Sequence, residues 1–344
     1  MKISIIGTTG YGGVELLRIL HSHPVFKIHS IHSTKDEVPI WHEYPHLFQI
    51  IGNQMERIDI EEISKNSDLV FLATPSGVSS KLVEQFSNQH IRVIDLSGDL
   101  RLKTEGEYET WYKKTTANHS VVKEAVYGLS EWNEKPISEA KLIANPGCYA
   151  TAALLGLAPV TKEELIIPDT IIIDGKSGTS GAGKALSKGS LYAEVNENFK
   201  IYKVNAHQHT PEIEQQLLQW NGNVEPITFS THLLPITRGI MTTTYVKLRS
   251  SWSTEQMIDL YEEAYKEKPF IRIRPLGTYP SVKEVQGSNY CDIGVNVDQR
   301  TGRLTIVSVI DNLMKGAAGQ AVQNANLMFG LNQTTGLEIL PLYP

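Results

Sequence analysis

Cys148 is one of two cysteines in 344 residues, and it follows Asn145-Pro146-Gly147 at the head of the apolar stretch 150–160. That context predicts a helix beginning near the thiol, where unpaired backbone N–H groups and the positive end of the helix dipole favour an anion. A thiol so placed can ionise near neutral pH and act as a nucleophile. Burial as a small apolar side chain is the commoner fate of a lone cysteine, so the nucleophile reading needs a partner elsewhere in the chain. The run His207-Gln208-His209-Thr210-Pro211-Glu212 offers one. Thr210 as N-cap and Pro211 at the first helical position mark a helix start and leave both imidazoles on the incoming loop, where a histidine can shuttle protons near neutral pH. Arg238, ahead of Gly239 and an apolar strand, presents a guanidinium fork suited to a substrate carboxylate or phosphate, with a structural ion pair as the alternative.

The elements that must hold these groups begin with a short apolar run, 3–6, that ends in Gly7-Thr8-Thr9-Gly10-Tyr11-Gly12-Gly13, after which 14–20 carries apolar residues at helical spacing. Strand, glycine turn and helix in that order describe a dinucleotide-binding unit: glycines let the backbone approach the pyrophosphate, whose charge rests at the helix N-terminus. Gly7, Thr9, Gly10, Tyr11, Gly12 and Gly13 are therefore expected cofactor contacts, although the glycine spacing is not the NAD fingerprint. After the next strand, 27–32, Ser33-Thr34-Lys35 places hydroxyl and ammonium donors where an NAD enzyme carries an acid. NADP is thus the expected cofactor, with Ser33 and Lys35 near its extra phosphate. Residues 67–74 and 91–96 read as buried parallel strands whose carboxyl ends deliver Thr74 and Arg101 toward ligands. His42-Glu43-Tyr44-Pro45-His46 copies a zinc-protease pattern, but Pro45 breaks the helix the pattern needs, so the stretch reads as a loop and no metal is expected. Residues 102–140 carry no legible chemistry, and 142–144 is a last short strand.

Beyond residue 166 the apolar strands 170–173, 241–248 and 303–309 predict an α+β domain with a mostly antiparallel sheet. Residues 178–184 approach a P-loop, yet Ala185 stands where the magnesium-binding hydroxyl belongs, so the stretch reads as a flexible loop facing an anion or cofactor. A helix over 315–329, with a small-residue face, is expected to return to the first domain. The expected division is 1–147 with 312–344 as the cofactor-binding domain and 148–311 as the catalytic and oligomerisation domain. A net charge of -6 argues against a nucleic-acid surface, and no apolar run is long enough to cross a bilayer. Cys148 and Cys291 cannot make a disulfide framework, and the start lacks a signal peptide's apolar region, so a cytoplasmic protein is expected.

Taken together, segments 7–13, 145–149, 177–183, 207–215, 232–240 and 311–320 resemble the ordered motif set of the N-acetyl-gamma-glutamyl-phosphate reductase family, itself related to aspartate-semialdehyde dehydrogenase. The resemblance implies an N-terminal Rossmann-type domain, an inserted α+β catalytic and oligomerisation domain, and a final helix returning to the first. It implies NADPH-dependent reduction of N-acetyl-L-glutamyl 5-phosphate to the 5-semialdehyde through a cysteine thioester, in arginine biosynthesis, by a homo-oligomer, dimer or tetramer. Cys148 becomes the nucleophile and His209, chosen over His207, the acid/base. Arg101, Asn145, His207 and Arg238 are expected about the substrate, and Ser180, Gly181, Ala182 and Asn312 about the cofactor. Gln208 stands where the family often has arginine. Aspartyl phosphate, carrier-linked aminoadipyl or glutamyl phosphates, and a non-catalytic NADP-sensing protein are the competing readings.

Overall fold

Strands rich in Ile, Val and Leu alternate with short helices through the first half of the chain, and parallel strands buried on both faces read as such continuous apolar runs. The computed structural model describes residues 1–34 and 37–344. The chain divides into two compact units, Met1–Gly147 with Ala317–Glu338, and Cys148–Gly316 with Ile339–Pro344.

In the first unit the order is β1 (Lys2–Ile6), α1 (Tyr11–His21), β2 (Lys27–His32), β3 (Met55–Glu56), α2 (Ile60–Asn66), β4 (Leu69–Leu72), α3 (Ser79–Phe86), β5 (Arg92–Asp95), α4 (Glu107–Tyr112), α5 (His119–Glu124), β6 (Val126–Tyr127), α6 (Ser130–Glu139) and β7 (Leu142–Ala144). The sheet runs β3-β2-β1-β4-β5-β7-β6 with every pairing parallel, the Rossmann-type winding expected of the sequence. Ile5, Phe71 and Ile94 at its centre are fully buried.

The second unit opens with α7 (Cys148–Lys162), then β8 (Ile172–Ser177), α8 (Tyr192–Val195), β9 (Lys200–Tyr202), α9 (Thr210–Trp220), β10 (Thr228–Leu233), β11 (Ile240–Lys247), α10 (Thr254–Tyr265), β12 (Ile271–Ile273), β13 (Cys291–Asp298) and β14 (Arg303–Ile310). Its sheet runs β12-β13-β14-β11-β8-β10-β9, antiparallel except for the β8–β10 and β12–β13 pairs. The first strand begins at Ile172 rather than 170, because Pro168–Thr170 forms a 3-10 turn that proline favours at its start. Helix α7 packs on β11 and β14 and is buried from Tyr149 through Thr161. Gly156 allows that closeness: a Cβ there would lie 2.5 Å from Ser308 Oγ.

The chain leaves the second unit through a π turn, Met314–Ala318, before α11 (Gly319–Met328), which packs against α6 in the first unit. The expected return at 312 is therefore corrected to Ala317, and residues 339–344 fall in the second unit. Hydrogen bonds explain both shifts: Asp311 and Asn312 are tied to Gly287 and Gly239, and Leu342 N–H donates to Gln286 O at 2.8 Å. No helix among the described residues is long and apolar enough to cross a membrane.

Candidate active site

In the first unit the turn after β1 is shaped by backbone crowding. Gly7 has φ +93°, and a Cβ there would lie 2.5 Å from Ala73 O; one on Gly13 would lie 2.4 Å from Gly7 O. Gly12 meets nothing within 4 Å, and α1 starts at Tyr11 with Gly10 at the N-cap and no side-chain cap. A helix N-terminus with no side-chain cap, beside open space on a glycine turn at the carboxyl end of a central strand, fits a dinucleotide pyrophosphate. Tyr44 steadies the turn, its hydroxyl donating to Thr9 O at 2.8 Å. His42 and His46 fall in separate 3-10 turns, Ile40–His42 and Pro45–Leu47, so they share no helix face. Ser33 is buried behind β2, with its N–H on Glu56 O, while Lys35 lies outside the described residues.

Thr74, half-buried at the end of β4, shares a 2.7 Å hydrogen bond with Ser79 Oγ. Beside it Asp99 accepts from the N–H groups of Gly77 and Ser80 and from the Tyr108 hydroxyl. Burial, reinforced by the Asp99 charge, pushes the Asp95 carboxyl up to about 6. Arg101 and Asn145 do not stand open to a ligand. Arg101 is 5 % exposed; its Nε donates to Asn145 O at 2.8 Å and its Nη2 to Leu96 O at 3.0 Å. The Asn145 amide is fully buried, donating to Ala317 O at 3.1 Å and accepting from Asn324 Nδ2 at 3.0 Å. Both residues thus lock the turn that precedes Cys148 in the chain.

In the second unit the partly exposed Cys148 is the first residue of α7, as its turn context predicts. Tyr149 carries the thiol's surroundings. Its ring meets His207 edge-on at 5.3 Å, His209 at 6.2 Å and Phe229 at 5.6 Å, and its hydroxyl donates to His232 O. The Tyr202 hydroxyl donates to that of Tyr149 at 3.4 Å, and burial raises both phenol pKa values, with the nearby Cys148 charge adding to the shift. The two imidazoles differ. His207 Nδ1 accepts the His209 N–H at 3.1 Å, and burial, then His209 and Lys203, drives its pKa down to about 2. It is therefore neutral and spent on orienting the loop. Helix α9 begins one residue earlier than expected, at Thr210, with His209 itself at the N-cap position.

The stretch after β8 is not the flexible loop expected. Gly178, Thr179 and Ser180 donate their N–H groups to Gly239, Ile236 and Thr237 carbonyls, and a Cβ on Gly178 would lie 2.7 Å from Thr237 O. From Gly181 through Lys188 the loop is exposed. Asn312 joins the same assembly, accepting from Gly239 N–H at 2.8 Å and donating to Ser180 Oγ at 2.9 Å. Arg238 lies beside them, its Nη1 3.4 Å from the buried Asp311 carboxylate. Tyr202 and Asp311 carry no spacing signal in the sequence; only the sheet register and the end of β14 bring them here.

Two family models match the chain in succession: the semialdehyde dehydrogenase NAD binding domain over residues 2–140 and the semialdehyde dehydrogenase dimerisation domain over residues 148–312. A Bacillus anthracis protein called N-acetyl-gamma-glutamyl-phosphate reductase is 56% identical over 344 residues, covering 100% of both chains. A Geobacillus protein of the same name is 54% identical over 345 residues, again over 100% of both. Among solved structures, aspartate semialdehyde dehydrogenase II from Vibrio cholerae complexed with ASA superposes with a TM-score of 0.69 at 17% identity, covering 96% of this chain and 98% of that one. The Candida albicans aspartate semialdehyde dehydrogenase with NADP gives 0.72 at 16%, covering 95% and 98%. The full-length identity to relatives of one name, on a fold shared with the aspartate enzymes, decides the kinship: this chain belongs to the N-acetyl-gamma-glutamyl-phosphate reductase family of the semialdehyde dehydrogenases.

Proposed function

We propose that this chain reduces N-acetyl-L-glutamyl 5-phosphate to N-acetyl-L-glutamate 5-semialdehyde, with NADPH as reductant and inorganic phosphate as the second product, in arginine biosynthesis. The observation that carries the reading is the partly exposed Cys148 at the head of buried α7, with two imidazoles gathered on the ring of Tyr149.

The Cys148 thiolate adds to the acyl carbon, the bond from that carbon to the phosphate oxygen breaks, and a thioester on Cys148 results. N–H groups at the start of α7 face the oxygen that gains charge in this step. The Gly7–Gly13 turn, through the backbone of Thr9, Gly10, Tyr11 and Gly12, together with Ser33 and Thr74, would hold NADPH, which when bound would provide the hydride for the thioester carbonyl. His209 holds the proton that the tetrahedral oxygen and the departing sulfur exchange as the C–S bond breaks and the aldehyde is released. Arg238 receives an anionic group of the substrate, and neutral His207 keeps His209 in place through its backbone N–H. Arg101 and Asn145 serve by fixing the turn before Cys148, while Gly181 and Ala182 are the proposed cofactor contacts of the second unit, backed by Ser180 and Asn312. A homo-oligomer built through the second unit and a cytoplasmic location complete the reading. The matched dimerisation domain supports the first, and the cysteine usage supports the second.

The test is NADP reduction with N-acetyl-L-glutamate 5-semialdehyde and inorganic phosphate. Phosphate-dependent NADPH formation is expected. A preference for aspartate semialdehyde would move the substrate assignment, and NADP binding without turnover would leave a binding protein.

A further inference from the structure

Asp311 closes β14 with a carboxylate that is fully buried. Its Oδ1 accepts the N–H groups of Leu313 at 2.8 Å and Met314 at 3.1 Å, which starts the π turn. Its Oδ2 accepts the Gly287 N–H at 2.8 Å and lies 3.4 Å from Arg238 Nη1. Its backbone carbonyl accepts the Gly316 N–H at 3.0 Å. Gly316 in turn backs the thiol residue, since a Cβ built there would lie 2.7 Å from Cys148 Cβ. One side chain therefore touches the support of both groups assigned to the acyl substrate, without lying open to a ligand itself.

We propose that Asp311 is a positioning residue: its Oδ2 aims the Arg238 guanidinium at the anionic group of the substrate, and its Oδ1 and carbonyl set the turn that backs Cys148. The first half rests on the proposed role of Arg238. A buried carboxylate opposite a part-exposed arginine restricts the fork to one orientation, because a planar guanidinium accepts a charged partner in few geometries. Asparagine discriminates between the two oxygens. If its amide oxygen keeps capping Leu313 and Met314, its NH2 faces the Gly287 N–H and Arg238 as a donor against donors, and the arginine is released.

The experiment compares the full-length wild type with Asp311→Asn, Asp311→Glu, Arg238→Ala and the Asp311→Asn/Arg238→Ala pair. For Asp311→Asn the KM of the acyl-side substrate is expected to rise by roughly tenfold or more, with the NADP KM within about twofold. Asp311→Glu should recover most of that loss, and the pair should be no worse than Arg238→Ala alone. Equal rises in both KM values, or effects that multiply in the pair, would reduce the contact to a structural ion pair and overturn the proposal. A readout independent of turnover is the rate of Cys148 alkylation by iodoacetate relative to iodoacetamide, with Cys148→Ser as blank. The ratio should fall several-fold in Asp311→Asn, whereas an unchanged ratio counts against the proposal even if the wild type proves inactive. Should Asp311→Asn not fold, the same cycle is run with Asp311→Glu. The small rise in acyl-side KM that Asp311→Glu leaves while Arg238 is present should vanish once Arg238 is alanine; an effect that persists there overturns the proposal.

Discussion

His207 and His209 are two residues apart and chemically alike in sequence, yet their surroundings split their roles. His207 is enclosed by Tyr149, Tyr202 and Phe229, and burial lowers its pKa so that it is neutral near pH 7. The proposed mechanism therefore assigns the exchanged proton to His209. His209→Asn is expected to remove one limb of the kcat/KM pH profile and lower turnover by about 10²–10⁴-fold. His207→Asn should keep that limb and lose rate only through the altered loop; the reverse pattern exchanges the assignment. Cys148→Ser should bind NADPH as the wild type does in a fluorescence titration while losing ~10³-fold or more of its turnover. A serine variant with near-normal turnover removes the thiol from the reaction.

At the scale of an element, the β1–α1 turn separates glycines that packing demands from one that packing does not. Gly13 sits under Gly7 O, so Gly13→Ala forces the helix off the strand and is expected to lower stability by about 1–3 kcal/mol, read as a drop in Tm. Gly12 faces open space within a helix, where alanine is the better helix former. Gly12→Ala should therefore leave Tm unchanged or slightly higher while raising the KM for NADPH, because its methyl group occupies the approach to the pyrophosphate. A Gly12→Ala enzyme with unaltered NADPH affinity would show that the cofactor does not use this turn.

For the molecule as a whole, buried histidines set the response to acid. Burial is the first cause lowering the pKa of His23, His32 and His207 from the ordinary imidazole value of 6.5. The unfolded chain then binds protons that the folded chain refuses, so this stability is present above 6.5 and is lost as the pH falls below it. Asp95 acts with the opposite sign: raised from 3.8 to about 6, it favours the fold at low pH and loses that contribution as the pH rises through the same interval. Burial also raises the Glu107 and Asp292 carboxyls, which share the sign of Asp95, so the loss expected from the three imidazoles is partly offset. Tm is expected to fall between about pH 7.5 and pH 5, with His32→Gln showing a shallower fall than the wild type. A Tm that rises over this range would contradict the sign.

The first unit was readable because each parallel strand and its glycine turn are local patterns: 3–6 followed by Gly7–Gly13 specify strand, turn and helix within a dozen residues. Cys148 at a helix start was legible for the same reason. The sequence by itself thus determined the Rossmann-type winding, the mostly antiparallel character of the second sheet, and the placing of Cys148 at a helix start with two histidines on a helix-entry loop. Tertiary structure alone decided that His207 is enclosed and held neutral, since burial by Tyr149, Tyr202 and Phe229 depends on pairings between strands far apart in the chain. It also turned Arg101 and Asn145 from open ligand contacts into internal braces, and drew Asp311 to Arg238 across 73 positions. Those outcomes rest on desolvation and long-range hydrogen bonds, which residue spacing does not encode.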